Sequence, residues 1–268
     1  MIENEFDNDT KYRLYRTVRE ILHPTISKRN ISDYVIIMNE DVLPIRVFYP
    51  QKISELHKIV LFIHGNGSVT SSQGEYSNIC KDISKKLDKL IIGIEYNEEK
   101  SIKDIIEDLD NTISYIYDGL DKNNKDEEDI IIMSDSTGCL LMDCLHNKEI
   151  SKRIKKEIYC YPVIDRKIID SKKYPSVEKN MEFNPILTRR IEDFFNHYDI
   201  KENNNNNSNI NTLVLIGSID PILDGVKDYY QDLKNYKVVE LPFANHGFLK
   251  DMDQELEEEF YKEINDFI

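Results

Sequence analysis

The sequence has no apolar run of membrane-spanning length, no C-x-x-C pair, no internal repeat and a shortage of basic residues. Each absence removes a class of function. A membrane helix needs roughly 20 predominantly apolar residues. The start, MIENEFDNDTKYRLYR, carries acidic and amide side chains where a secretory leader would have a basic end and an apolar stretch. The expectation is a soluble, cytoplasmic protein with no membrane span. Thirty-five basic against 50 acidic residues leave a formal net charge of -15, which repels phosphate backbones and anionic headgroups, so nucleic acid is not an expected partner. The four cysteines, Cys80, Cys139, Cys144 and Cys160, show no spacing that would hold zinc. They are expected to be buried free thiols. Cys139 and Cys144 stand five apart on one expected helix, do not share a face, and are not expected to be bridged.

What is present is material for one large domain. The chain has 268 residues, 40% of them hydrophobic and 32% charged, enough for a sizeable core under a solvated surface. Runs such as KIVLFIHG (58–65), KLIIGIEY (89–96), DIIIMSD (129–135) and NTLVLIG (211–217) are near-continuous in Ile, Val and Leu, the pattern of parallel strands covered on both faces. DYVIIM (33–38), LPIRVFYP (43–50), EIYCYPV (157–163) and YKVVELP (236–242) add further strands. Helical patterns lie between them, at 76–87 and at 102–120, the second ending at a glycine stop. Strand and helix in alternation predict a mostly parallel α/β sheet with helices on both faces. Two segments break the alternation. One is the N-terminal stretch to about residue 30, with a helix over 12–22; the other is 166–200, containing NPILTRRIEDFFNHY. Both are expected to fold over the carboxyl ends of the strands as a cap. KENNNNNSNIN (201–211) has nothing to bury and reads as a surface loop.

Acyl transfer needs a nucleophile, a base, an acid that orients the base, and N–H donors for the oxyanion. MSDSTGC (133–139) sets Ser136 between a buried strand and the helical pattern TGCLLMDCL. That context fits a nucleophile turn, although the seven residues taken alone read better as a helix start with Asp135 or Ser136 as N-cap. IHGNGS (63–68) ends a strand one strand-helix-strand-helix unit earlier, and is either an oxyanion loop or an ordinary glycine loop. LIGSIDPILDG (215–225) puts Asp220 past a strand end, with Pro221 starting the next helix; the bland alternative is that Asp220 only caps that helix. Asp224, one turn inside, is the weaker candidate acid. LPFANHGFLKD (241–251) places His246 in a loop before the closing helix. Of the six histidines it alone follows both Ser136 and Asp220 in the chain, while His197 falls in the expected cap.

With HGNG (64–67), SDSTGC (134–139), DPILD (220–224) and HGF (246–248) in this order, the chain resembles the hormone-sensitive-lipase-like branch of the α/β-hydrolase superfamily, which includes carboxylesterases and arylacetamide deacetylases. The resemblance spans most of the chain beyond about residue 40. It implies an α/β-hydrolase fold, Ser136 as nucleophile, Asp220 as acid and His246 as base. It further implies an oxyanion hole of the Asn66, Gly67 and Thr137 backbone amides, with His64 supporting the oxyanion loop. The family pattern has glycine where this chain has Asn66, Ser134 and Cys139, and NEEKSIKD after Tyr96 lacks the usual arginine and proline, so the resemblance implies a divergent member.

The expected function is hydrolysis of a small-molecule carboxylic ester, with an amide as the other option, through an acyl-enzyme and without metal or cofactor. A hydrolase scaffold that only binds a small ligand is the alternative. A thiol enzyme using Cys139 or Cys160 is a third reading, without a histidine placed for it. Phe194, Phe195 and Tyr198 are either an apolar acyl pocket or plain core. The sequence sets neither the substrate nor the oligomeric state.

Overall fold

The structure, a computed structural model, describes residues 19, 21–22, 31–38, 41–50, 58–65, 73–121, 123, 126, 129–200 and 209–268. Among these, eight strands form one sheet: β1 (Ile31–Met38), β2 (Asp41–Phe48), β3 (Ile59–Ile63), β4 (Leu90–Ile94), β5 (Ile130–Asp135), β6 (Lys156–Cys160), β7 (Asn211–Gly217) and β8 (Tyr236–Leu241). Their order is β1-β2-β4-β3-β5-β6-β7-β8. β2 runs antiparallel to both of its neighbours, and every other pair is parallel. The strands fall on the Ile/Val/Leu runs for a direct reason. β3 and β5 are buried at every residue, so both faces are apolar along β3 and along β5 up to Met133; only Ser134 and Asp135, at the carboxyl end of β5, are polar. The edge strand β8, by contrast, is fully buried only at Leu241.

The intervening helices are α1 (Gln73–Leu87), α2 (Ile102–Asp121), α3 (Thr137–Leu145), α4 (Ser176–Lys179), α5 (Leu187–His197), α6 (Leu223–Tyr230) and α7 (Gln254–Phe267). Two boundaries differ from the sequence expectation. Gly119 lies inside the last turn of α2 and not beyond it. Pro221 precedes a turn, so α6 begins at Leu223; the Asp220 carboxylate accepts from the Ile222 amide and holds that turn open. The helix expected over 12–22 lies almost wholly outside the described residues, as do 201–208 of the asparagine-rich segment.

The 166–200 segment reaches from the loop after β7 to the loop after β4. Ser176 is tied to Asp224 and Pro221, Asn180 Nδ2 donates to the Asp220 carbonyl at 3.1 Å, and Tyr198 Oη donates to the Glu98 carbonyl beyond β4 at 2.7 Å. Leu187, Ile191, Phe194 and Phe195 form the buried stripe of α5. The two phenylalanines meet edge to face, and the Arg166 guanidinium lies over Phe195. These rings are therefore core.

The sheet order reverses at β3, which has β4 on one side and β5 on the other. In open α/β sheets such a switch leaves a crevice outside the carboxyl ends of the strands. His64 follows β3 there, and Ser136 follows β5.

Candidate active site

Ser136 stands alone between strand and helix with φ 49° and ψ -124°. This backbone lies outside the regions an L-residue favours, a strain that costs on the order of 1 to 3 kcal/mol and has to be held by its surroundings. They do hold it. The Ser136 amide donates to the Cys160 carbonyl and its carbonyl accepts from the Val163 amide, both at 3.0 Å, so the turn is clamped to the extension of β6. The side chain makes no capping bond to α3, which removes the helix-cap reading. Close packing completes the turn: a Cβ on Gly138 would stand 2.6 Å from the Ile63 carbonyl and 2.7 Å from that of His64. Only glycine lets α3 approach β3 this closely.

The freed hydroxyl meets His246. Ser136 Oγ and His246 Nε2 are 3.1 Å apart, and His246 Nδ1 lies 2.9 Å from Asp220 Oδ2. Asp220 is fully buried, and its other oxygen accepts the Ile222 amide at 3.0 Å. The carboxylate thus does both jobs that the sequence left open, holding its turn and facing the imidazole. Asp224 instead accepts from the Ser176 amide and faces the 166–200 segment. The loop carrying His246 is set by Asn245, whose Oδ1 accepts the His246 amide at 2.7 Å, and by Gly247 at φ 83°. Tyr161 packs against the imidazole, with ring centroids 4.9 Å apart and the ring planes tilted by 58°.

Of the residues expected to receive the oxyanion, Thr137 begins α3 beside Gly65, while Asn66 and Gly67 lie outside the described residues. The backbone leading to them is held by three hydrogen bonds. The Gly65 amide donates to Asp135 Oδ1 at 2.8 Å, its carbonyl accepts from Tyr76 Oη at 3.0 Å, and the His64 carbonyl accepts from Tyr96 Oη at 2.7 Å. The His64 ring stacks on Tyr96 at 4.5 Å and approaches Tyr76 at 4.7 Å. Burial lowers its pKa, opposed by the Gly65 carbonyl, so it is a neutral ring at pH 7.

Asp135, Tyr161, Tyr76 and Tyr96 belong to this constellation, and sequence reasoning gave none of them a role in it. Asp135 is almost fully buried, and its second oxygen accepts from Tyr161 Oη at 3.1 Å. Burial pushes its pKa up to about 6, against the bonds from Gly65 and Tyr161 and the nearby positive charges. Among the described residues no group of three His, Cys, Asp or Glu side chains is arranged to hold a metal ion, and no helix is long and apolar enough to cross a membrane.

The family model for the alpha/beta hydrolase fold matches residues 60–250. The chain belongs to that family. The mouse protein arylacetamide deacetylase-like 3 is 24% identical over 168 residues, covering 60% of this chain and 40% of its own. This hydrolase-fold chain spans between 40% and 54% of the length of the curated relatives it matches. Its fold is that of a hyperthermophilic esterase from the archaeon Pyrobaculum calidifontis (TM-score 0.70, 19% identity, covering 97% of this chain and 90% of that one). A fungal esterase from Rhizomucor miehei is similar to the same degree (TM-score 0.71, 15% identity, covering 98% and 90%).

Proposed function

We propose that the protein is a serine hydrolase that cleaves a small-molecule carboxylic ester through an acyl-enzyme. The observation that carries this reading is the hydrogen-bonded line Ser136, His246, Asp220, starting from a strained serine at the strand switch. Membership of the hydrolase family, relatives named arylacetamide deacetylase-like and structural neighbours named esterases support it.

In this reading His246 Nε2 takes the Ser136 proton as Oγ attacks the ester carbonyl, and gives it to the departing alkoxide. Asp220 Oδ2 accepts Nδ1–H, which keeps Nε2 free to act as base and steadies the imidazolium that forms. The tetrahedral oxyanion sits against the amides of Asn66, Gly67 and Thr137. Water, activated by the same histidine, then releases the acid. His64, neutral and stacked between tyrosines, shapes the oxyanion loop and moves no proton. The 166–200 segment acts as the cap that closes over the bound ester.

A fluorophosphonate probe tests the assignment. Wild-type protein is expected to be labelled on Ser136 and to hydrolyse chromogenic esters; Ser136→Ala should lose labelling, with kcat lower by about four to six orders of magnitude. A folded wild-type protein that takes no label, beside a labelled control esterase, would instead identify a scaffold that only binds ligand.

A further inference from the structure

We propose that Asp135, the residue before the nucleophile, is a positioning residue that pins the oxyanion loop and the wall of the imidazole to one carboxylate. This rests on the esterase reading of Ser136. The geometry is specific. Oδ1 takes the amide of Gly65, the last described residue before the oxyanion donors, and Oδ2 takes the hydroxyl of Tyr161, whose ring packs against His246. Tyr161 is itself held at φ 39°, with its amide bonded to the Leu215 carbonyl at 2.7 Å and its ring edge-on to Phe248 at 4.8 Å. It therefore cannot drift without disturbing two neighbours. Gly65 is fixed on its other side by Tyr76.

The arrangement addresses a requirement of the chemistry. An oxyanion hole works only if its donors stand where the charge will develop before it develops. Gly65, where the loop leaves β3, has no side chain of its own to ensure this. A buried acceptor on the neighbouring strand fixes the first peptide of that loop relative to Ser136, because Asp135 and Ser136 are consecutive. Through Tyr161, the same acceptor holds the face of the base. Donors, nucleophile and base thus share one reference point.

Two properties of Asp135 are used: an acceptor toward Gly65 and a polar partner for Tyr161. Asparagine offers both and alanine offers neither. Asp135→Ala is expected to lower kcat about a hundredfold, near the loss of a single oxyanion donor, with KM changed less than about threefold. Asp135→Asn should stay within a few-fold of wild type. Amide hydrogen exchange gives a readout independent of turnover: Gly65 N–H should be protected in wild type and Asp135→Asn, and faster by at least about tenfold in Asp135→Ala. Wild-type kcat in Asp135→Ala overturns the proposal, and so does an Asp135→Asn as impaired as Asp135→Ala, which would show that charge and not positioning matters. If Asp135→Ala does not fold, Tyr161→Phe carries the test: it keeps the ring on His246, cuts one bond to the carboxylate, and should lower kcat several-fold at constant KM, with wild-type kcat the overturning result. A wild-type protein with a protected Gly65 amide but no labelling of Ser136 and no turnover would sink the esterase reading alone; an unprotected Gly65 amide in an active enzyme would sink this one.

Discussion

Ser134 and Cys139, two of the departures from the family's glycine pattern, are in contact with each other. The serine hydroxyl points at the cysteine sulfur at 3.4 Å, both side chains are fully buried, and the thiol also faces the Cys160 carbonyl at 3.9 Å. The two substitutions therefore fill one space together beneath the elbow, leaving the approach of Gly138 to β3 intact. Burial raises the Cys139 and Cys160 thiols well above the ordinary value, so neither supplies a thiolate at neutral pH. Iodoacetamide at pH 8 should leave the ester-cleaving rate of native protein unchanged, while the unfolded chain is alkylated at all four cysteines by mass spectrometry. Asp135 shows the opposite economy, function against stability. Its carboxyl moves from an ordinary value of 3.8 up to about 6 in the folded chain, so the native state binds the proton more tightly than the unfolded one. The ionised form then costs stability, by about 3 kcal/mol at 1.36 kcal/mol per unit. The cost is absent below about pH 4, grows to about pH 6 and is complete above it. Asp135→Asn should melt higher than wild type at pH 7, with the gain vanishing at pH 4, as followed by thermal denaturation at both values.

At the scale of elements, β3, β4, β7 and the first half of β5 were legible because they are buried on both faces and are written almost wholly in Ile, Val and Leu. α3 was legible to the residue, since TGCLLMDCL follows a buried strand with no room for a longer turn. Ser136, Asp220 and His246 could be picked out as candidates by their chain order, because each follows the end of a strand. What could not be read was anything decided by register between distant strands. Asp135 reaches Gly65 because β3 and β5 pair with Ile63 opposite Ser134, and nothing local in SDSTGC indicates that. The 3-10 turn Arg166–Ile169 and the four-residue α4 were likewise hidden, being too short for a periodic pattern. The same register makes Gly65 intolerant. A Cβ there would stand 2.7 Å from the Asp135 carbonyl and 2.9 Å from the Ser136 Cβ. Gly65→Ala must move either the oxyanion loop or the elbow. The expected outcome is a folded protein with kcat reduced about a hundredfold or more and slower labelling of Ser136, measured by ester turnover and by the time course of the fluorophosphonate reaction.

The whole molecule carries a second polar cluster that the proposed chemistry does not use, at the far end of α3, about 13 Å along the helix from Ser136 at 1.5 Å per residue. His146 Nε2 meets the two Glu157 oxygens at 3.1 and 3.0 Å, and Nδ1 lies 3.4 Å from Asp143. Thr212 Oγ1 donates to Glu157 at 3.4 Å, so α3, β6 and β7 meet here. Asp143 and Glu157 are essentially sealed from solvent. Burial pushes the histidine's pKa down, but Glu157 and Asp143 outweigh it and bring it up to about 10 from 6.5. The native state thus holds this proton more tightly than the unfolded chain does. The resulting stability is fully present below about pH 6.5 and is lost as pH rises through about 10. Global unfolding should report it, because the cluster joins three elements of the core. Urea denaturation of wild type should show stability falling from pH 7 to pH 10. His146→Gln, which strips buried carboxylates of their cation, should be about 3 to 5 kcal/mol less stable at pH 7 and should show a flatter alkaline slope. Replacing His146 and Glu157 together with leucine removes the closest pair of these charges, leaves Asp143 as the cluster's one buried carboxylate, and should recover part of that loss. A wild-type curve flat across this range, or a double variant weaker than His146→Gln, would show that the cluster is not a proton-linked support of the fold.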